Sequence, residues 1–341
     1  MNPSSNRYVQ LIRTASKAIF SFRETSLILI IVGFSVVFSV LTPHFFTNSN
    51  LSVMAVGLSG DGIIAIGMTL ALVSAGFDLS VGSVMGLSGV FAASLMTLGI
   101  GSWIACIAAL ALGGLIGLLN GYLIGRVGLN PFITTLGTMS VARGMSYAIT
   151  SGTSISLTNV SQSFAFIGEG KILGISPIIL IFVFFALAGD FLMRKADFVR
   201  KVFYVGSNEK AALLSGINSS KVKRGVYLLT AVLSTIAGLI TLSRFGGASP
   251  SGGQGAEFRV ISAAIIGGTS LNGGEGTILG TVLGIVFLNL INNGLILLNI
   301  SVYWQDLVNG VILIVAVTVD HVSHASRLKT PQRKRELNAG R

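Results

Sequence analysis

The sequence predicts an all-α polytopic membrane protein with about ten transmembrane helices, one or two of them broken or partial. Three observations carry this. Of 341 residues, 52% are hydrophobic and only 10% charged, and the mean hydropathy is +0.81; a soluble domain carries about 25% charged residues. Apolar runs of roughly 20 residues recur, the length that crosses about 30 Å of hydrocarbon as a helix. They are too long and too uniformly apolar for the alternating strands of a membrane β-barrel, each about 10 residues. Finally, most of the 23 Lys and Arg fall on one side of the topology these runs define. The positive-inside rule makes that side cytoplasmic.

Residues 1–25 form a basic cytoplasmic arm with Arg7, Arg13, Lys17 and Arg23. The first span, about Ser26–Leu41, has the length to cross and no clear cleavage site, and it stops at Thr42-Pro43, where proline cannot easily continue a helix. The second span, about Leu51–Ala75, contains Asp61 and leads into the inner turn Gly76-Phe77-Asp78-Leu79-Ser80-Val81-Gly82-Ser83. Asp78 or Ser80 is placed to cap the third span, about Val81–Leu98, because a short oxygen-bearing side chain accepts from unpaired N–H groups. The fourth is about Trp103–Ile124. The fifth opens at Pro131, a favoured first-turn position for proline, and runs to Ile149 with Thr134, Thr135, Thr138, Ser140 and Arg143 on it.

Residues 151–174 read as an outside loop and Ile175–Met193 as the sixth span. The stretch 194–224 is a polar loop holding eight Lys or Arg. Inside it, Asn208–Ile217 is helix-like and stops at Gly216. The seventh span is about Gly225–Leu242, followed by a glycine-rich outer segment, residues 244–257. The eighth, about Phe258–Gly268, is too short to cross straight; such a partial helix needs protein or a water-filled cavity around it at membrane depth. A second inner turn, Leu271-Asn272-Gly273-Gly274-Glu275-Gly276, precedes the ninth span, about Thr277–Leu298, and the tenth, about Val302–Val319. The spans make one domain over 26–320, and 321–341 is a basic cytoplasmic tail, so both termini lie inside. Gly82-Ser83-Val84-Met85-Gly86 and Gly276-Thr277-Ile278-Leu279-Gly280 echo each other; an internal repeat and chance in a chain with 43 glycines both account for this. Glycines four apart at 113, 117 and 121 fit close helix packing in lipid better than a bare substrate path.

The net charge of +11 would suggest nucleic acid in a soluble protein; here topology explains it. The lone Cys106 forms no internal disulfide and lies in an apolar run. There is no G-x-x-x-x-G-K-[ST] phosphate loop, no nucleophilic triad and no metal-ligand cluster, which argues against catalysis and against ATP binding on this chain. Asp61, Arg143 and Asp306 are the intramembrane charges, and structural roles are the first reading for them. The neutral groups Asn120, Asn130, Thr134, Thr135, Asn289, Asn292 and Asn293 suit either a polyol path or bonds between helices.

The turn Gly76–Ser83, with Asp78, Ser80, Gly82 and Ser83, resembles the G-x-D-L-S-V-G-S turn of ribose-type sugar ABC transporter permeases. Gly267-Gly268-Thr269-Ser270-Leu271 with Gly273-Gly274-Glu275-Gly276 resembles that family's second turn, and Pro131–Leu136 is similar as well. The resemblance runs from about Leu41 to Val319. It implies a non-enzymatic permease subunit in the bacterial inner membrane that pairs with a second permease copy, a cytoplasmic ATPase carrying ATP and Mg, and a periplasmic sugar-binding protein. The loop then resembles the coupling helix, with Glu209, Lys210, Ala211, Ala212, Gly216 and Ile217 at the ATPase contact. Lys210 stands where the family's E-A-A pattern has its acid. The implied substrate is a neutral monosaccharide, a pentose such as ribose first, moved by alternating access. Asn120, Thr134, Thr135, Asn289 and Asn293 are path candidates. The competing class is a sugar carrier driven by an ion gradient.

Overall fold

The computed structural model describes residues 23–158 and 160–339; the side chains of 302, 306 and 323–341 lie outside the description. Asp306, most of the basic arm and the basic residues of the tail therefore fall outside it. The helices are α1 (Arg23–Leu41), α2 (Asn48–Val73), α3 (Val81–Thr97), α4 (Ser102–Tyr122), α5 (Pro131–Thr150), α6 (Gln162–Glu169), α7 (Pro177–Lys195), α8 (Asp197–Ser207), α9 (Glu209–Leu214), α10 (Ser219–Phe245), α11 (Ala256–Ile266), α12 (Ile278–Leu297) and α13 (Val302–Ala339). A π-helical turn, Leu123–Val127, continues α4. Two short strands, β1 (Ile155–Ser156) and β2 (Gly247–Ala248), pair antiparallel, with Ile155 opposite Ala248.

Among the described residues, seven helices are long and apolar enough to cross a membrane, against the ten spans expected. The difference lies in three segments. Helix α3 has 17 residues and α11 has 11, while α5 has the length but carries too many hydroxyls to be strongly apolar. The short α11 begins two residues earlier than expected and so takes in Glu257.

Local chemistry sets the boundaries. Asn130 caps α5 by accepting from Phe132 N and Ile133 N, and Pro131 fills its first position. Thr277 caps α12 through Gly280 N, and Thr47 caps α2 through Asn50 N. Asp78 does not cap α3. It accepts from Ser80 N at 3.0 Å and from Ser80 Oγ at 2.5 Å, closing the turn on itself, while Ser80 occupies the cap position without a side-chain bond. The outer loop 151–174 is more ordered than expected, holding β1 and α6.

Helix α10 is the central post, packed by α4, α2 and α3. A methyl on Gly117 would lie 2.7 Å from Tyr227 O, and one on Gly121 2.6 Å from Arg224 Cα, so the glycine face of α4 is a packing face against α10. Burial differs sharply between helices: 72% of the apolar window of α2 is buried, but only 6% of Tyr303–Val322 in α13. Polar pairs tie α2 to α12. Thr69 Oγ1 meets Thr281 Oγ1 at 2.7 Å, and Asn50 and Asn293 exchange amide bonds of 3.0 and 2.8 Å.

Candidate functional site

The polar loop folds into two helices that sit differently. Helix α8 buries Val199, Val202, Val205 and Gly206 against the bundle and leaves Arg200 and Tyr204 outside. Its Asp197 pairs with Arg200, which holds the carboxyl below the usual carboxylate range. Asn208 ends α8 and caps α9 by accepting from Ala211 N at 3.0 Å. Helix α9 closes as the sequence predicts: Ile217 N donates to Ala212 O at 3.0 Å, and Gly216 takes the left-handed conformation at φ +81° that a bulkier residue adopts only with strain.

The structure brings Glu209, Lys210, Ala211, Ala212, Gly216 and Ile217 together on this one knob. Ala212 is buried and Ile217 half-buried, so they anchor it. Glu209 is bonded within the chain, to Lys223 Nζ at 2.7 Å. The outward tip is apolar: Leu213 is 54% and Leu214 91% exposed. Neither leucine was among the sequence candidates, though two adjacent leucines in a basic loop were the available signal.

The root of the knob meets the end of α2 and the second glycine turn at one point. Gly274 N donates to Val73 O at 2.8 Å, joining the second turn to the end of α2. Gly206 lies against both. A methyl there would collide with the Val73 carbonyl and come within 2.9 Å of Gly274 N. Gly273, at φ +82°, touches Ala75 and Gly206 O, and Gly274 packs on Ser207. The first turn is pinned from the other side. Tyr227 Oη donates to Phe77 O at 3.0 Å, Leu79 N donates to Thr135 Oγ1 at 3.1 Å, Asn120 Nδ2 donates to Ser80 Oγ at 3.2 Å, and Thr138 Oγ1 donates to Asn120 Oδ1 at 2.6 Å. Asn120 and Thr135, read as path candidates, thus spend their polar atoms inside the fold. Thr134 bonds back to Asn130 O and borders an apolar groove between α4 and α5. Asn293 is paired with Asn50.

Higher in the bundle lie four charged groups. Asp61 and Arg259 form a bidentate pair at 2.7 and 3.2 Å. Arg143 donates to Pro250 O at 2.8 Å and to Gly252 O at 2.7 Å, holding the glycine-rich segment against α3. Glu257 is buried beside Gly82. Under the β1–β2 pair opens a cleft of about 480 Å³ between α3 and α10, lined by Gly86, Gly89, Ser156, Gly238 and Thr241. No three His, Cys, Asp or Glu gather as a metal site among the described residues.

Residues 51–317 match the family described as branched-chain amino acid transport system / permease component. The chain is 38% identical over 300 residues to the ribose import permease protein RbsC of Escherichia coli K12, covering 87% of this chain and 93% of that protein. It is 36% identical over 317 residues to the L-arabinose transport system permease protein AraH of the same organism, covering 92% and 96%. It is 35% identical over 290 residues to the D-allose transport system permease protein AlsC, covering 84% and 88%. The chain belongs to the sugar ABC permease family. No solved structure matches it.

Of the two glycine turns that carried the resemblance, the second reaches the root of the α9 knob through Gly273 and Gly274, and the first is held by Tyr227, Thr135 and Asn120. Sequence reading of the permease missed Glu257 and Arg259, because residues 256–259 follow a glycine-rich segment that reads as an outer loop. Their partners lie far off in sequence, Asp61 on α2 being 198 positions from Arg259.

Proposed function

We propose that this permease is the membrane subunit of a binding-protein-dependent importer. It moves a neutral monosaccharide, a pentose such as ribose first, inward across the bacterial inner membrane. A second permease copy completes the pathway, a periplasmic binding protein delivers the sugar, and a separate cytoplasmic ATPase carries ATP and Mg. Both termini face the cytoplasm.

The observation that carries this reading is the continuity from Leu214 to the end of α2 and the second turn. An exposed apolar tip suits a groove on the ATPase, with Leu213 and Leu214 as the docking side chains. Its root touches Val73, Ala75, Gly273 and Gly274 with no slack. A displacement of α9 is then delivered to the inner ends of α2, α11 and α12 together, and close-packed elements switch between arrangements rather than deform smoothly. That is the mechanical requirement of alternating access. The test is ATP-dependent uptake of labelled ribose, arabinose and allose into liposomes holding the chain, its candidate ATPase and the binding protein, with Gly216→Asp as the coupling control. Uptake in the wild type that is lost in the variant supports the reading; absence of any ATPase association contradicts it.

The alternative, a sugar carrier driven by an ion gradient, would have to use the intramembrane charges Asp61, Arg143, Glu257 and Arg259, which argue against it. They balance two against two, and Asp61 is already committed to Arg259. Uptake that persists without ATP and collapses with an ionophore would support this carrier instead.

A further inference from the structure

Two leucines stand almost wholly clear of the fold among the described residues: Leu214 at the tip of α9, 91% exposed, and Leu173 before α7, 98% exposed. Leu173 is the tip of a two-residue turn. Ile172 N donates to Ile175 O at 2.8 Å and Ile175 N donates to Ile172 O at 3.0 Å, so the chain doubles back over Leu173 and Gly174 alone. Such a turn needs left-handed backbone at both central positions and favours Asn-Gly or Asp-Gly. Gly174, at φ +84°, meets that demand, but Leu173 holds φ +51°, where a leucine is strained. A leucine that neither packs on its own chain nor suits its own backbone is placed for a contact outside the chain.

The depth of the turn follows from α7. That helix has 19 residues, about 28 Å at 1.5 Å per residue, against about 30 Å of hydrocarbon. Its far end carries the Asp190–Arg194 pair and Lys195, groups that belong at a polar edge. Pro177, its first residue, therefore lies at the opposite edge, with Ser176 alone between it and the turn. Even extended, the chain from Leu173 to Pro177 reaches only about 14 Å, and the doubled-back turn reaches less. Only 22% of the apolar window of α7 is buried, so this helix runs along lipid rather than through the bundle, and the turn stands at the lipid border. The preceding α6 is fixed at the same level. Trp103 Nε1, at the start of α4, donates to Ser163 Oγ at 3.0 Å, and Ser243 Oγ, at the end of α10, donates to Phe164 O at 2.7 Å. Trp103 is half exposed, an amphipathic ring of the kind enriched where membrane meets water.

We propose that the Ile172–Ile175 turn is a lipid anchor on the membrane face opposite the α9 knob. Leu173 inserts between phospholipid headgroups and the upper acyl chains, with the half-exposed Ile172 and Ile175 at its flanks. Insertion takes the leucine out of water, which repays the strained turn that presents it. Lys171, exposed beside the turn, supplies a cation at the level of the lipid phosphates, so the partner is a phospholipid surface. The anchor holds the first turn of α7 at the boundary. The inference is independent of the cargo and of the energy source, and needs only that α7 cross the membrane.

The test places an environment-sensitive fluorophore at Leu173→Cys, in a Cys106→Ala background, in phosphatidylcholine–phosphatidylglycerol nanodiscs holding one full chain each. Leu214→Cys is the matched control, the same residue type with similar exposure at the tip of α9. The expected result at position 173 is blue-shifted emission and quenching by lipids spin-labelled near the headgroup. Its quenching by aqueous iodide is expected to be at least about tenfold weaker than at position 214, the scale of moving a leucine side chain out of water. A second measurement leaves the chain unaltered: a phospholipid with a diazirine just below its headgroup is expected to crosslink to residues 171–175, read by mass spectrometry. Equal iodide quenching at the two positions, or no lipid adduct on that segment, would overturn the proposal. So would protection of position 173 that arises only when a binding protein is added or when a disc holds two chains, because that assigns the surface to a protein partner.

Discussion

The inner junction and the bundle core use the same kinds of residue to opposite ends. At the junction, Asn120, Thr135, Thr138, Ser80 and Tyr227 find partners, and glycines bring backbones into contact. In the core between α2, α11 and α12, Asn289 and Asn292 leave buried oxygens unmet. A satisfied, tightly packed polar network is rigid; buried oxygens left unmet each cost about 1–3 kcal/mol. The comparison separates two regions of this permease: a tightly joined junction and a more loosely satisfied core.

The comparison is broken most severely at the knob. Leu214→Asp is expected to abolish stimulation of the ATPase by the reconstituted permease while leaving the fold intact, because the side chain is almost wholly exposed; circular dichroism and ATPase rates check both halves. Next comes the ion pair. Asp61→Leu leaves Arg259 without its carboxylate and is expected to cost about 3 kcal/mol in thermal unfolding of the purified chain, whereas Asp61→Leu combined with Arg259→Met recovers most of that stability. A smaller effect belongs to the first turn: Tyr227→Phe removes the bond to Phe77 O and is expected to cost about 1 kcal/mol. Asn208→Ala removes the α9 cap, also about 1 kcal/mol but confined to α9, and hydrogen exchange of α9 amides reads it directly.

Local signals were legible in the sequence. Pro131 and Gly216 mark helix ends through chemistry that acts within a turn or two, and the structure places those ends where that chemistry says. The two glycine turns stood out for the same reason. What sequence did not reveal depends on distant partners. Asn120 meets Ser80 from another helix, Gly206 matters because Val73 and Gly274 arrive beside it, and Arg259 is explained only by Asp61. The β1–β2 hairpin joins segments more than ninety positions apart, Ile155 with Ala248, in stretches too short and too glycine-rich to show strand periodicity.

The central claim is that motion at α9 reaches the end of α2 and the second glycine turn through Gly206. The most direct test is the ratio of sugar transported to ATP hydrolysed, measured in the same proteoliposomes for wild type and Gly206→Ala. The added methyl would collide with the Val73 carbonyl and prise Gly274 N from it, while Leu213 and Leu214 stay free to dock. The account predicts continued ATP hydrolysis with the transport ratio falling at least about tenfold, a loss of roughly 1.4 kcal/mol of coupling. An unchanged ratio would contradict it.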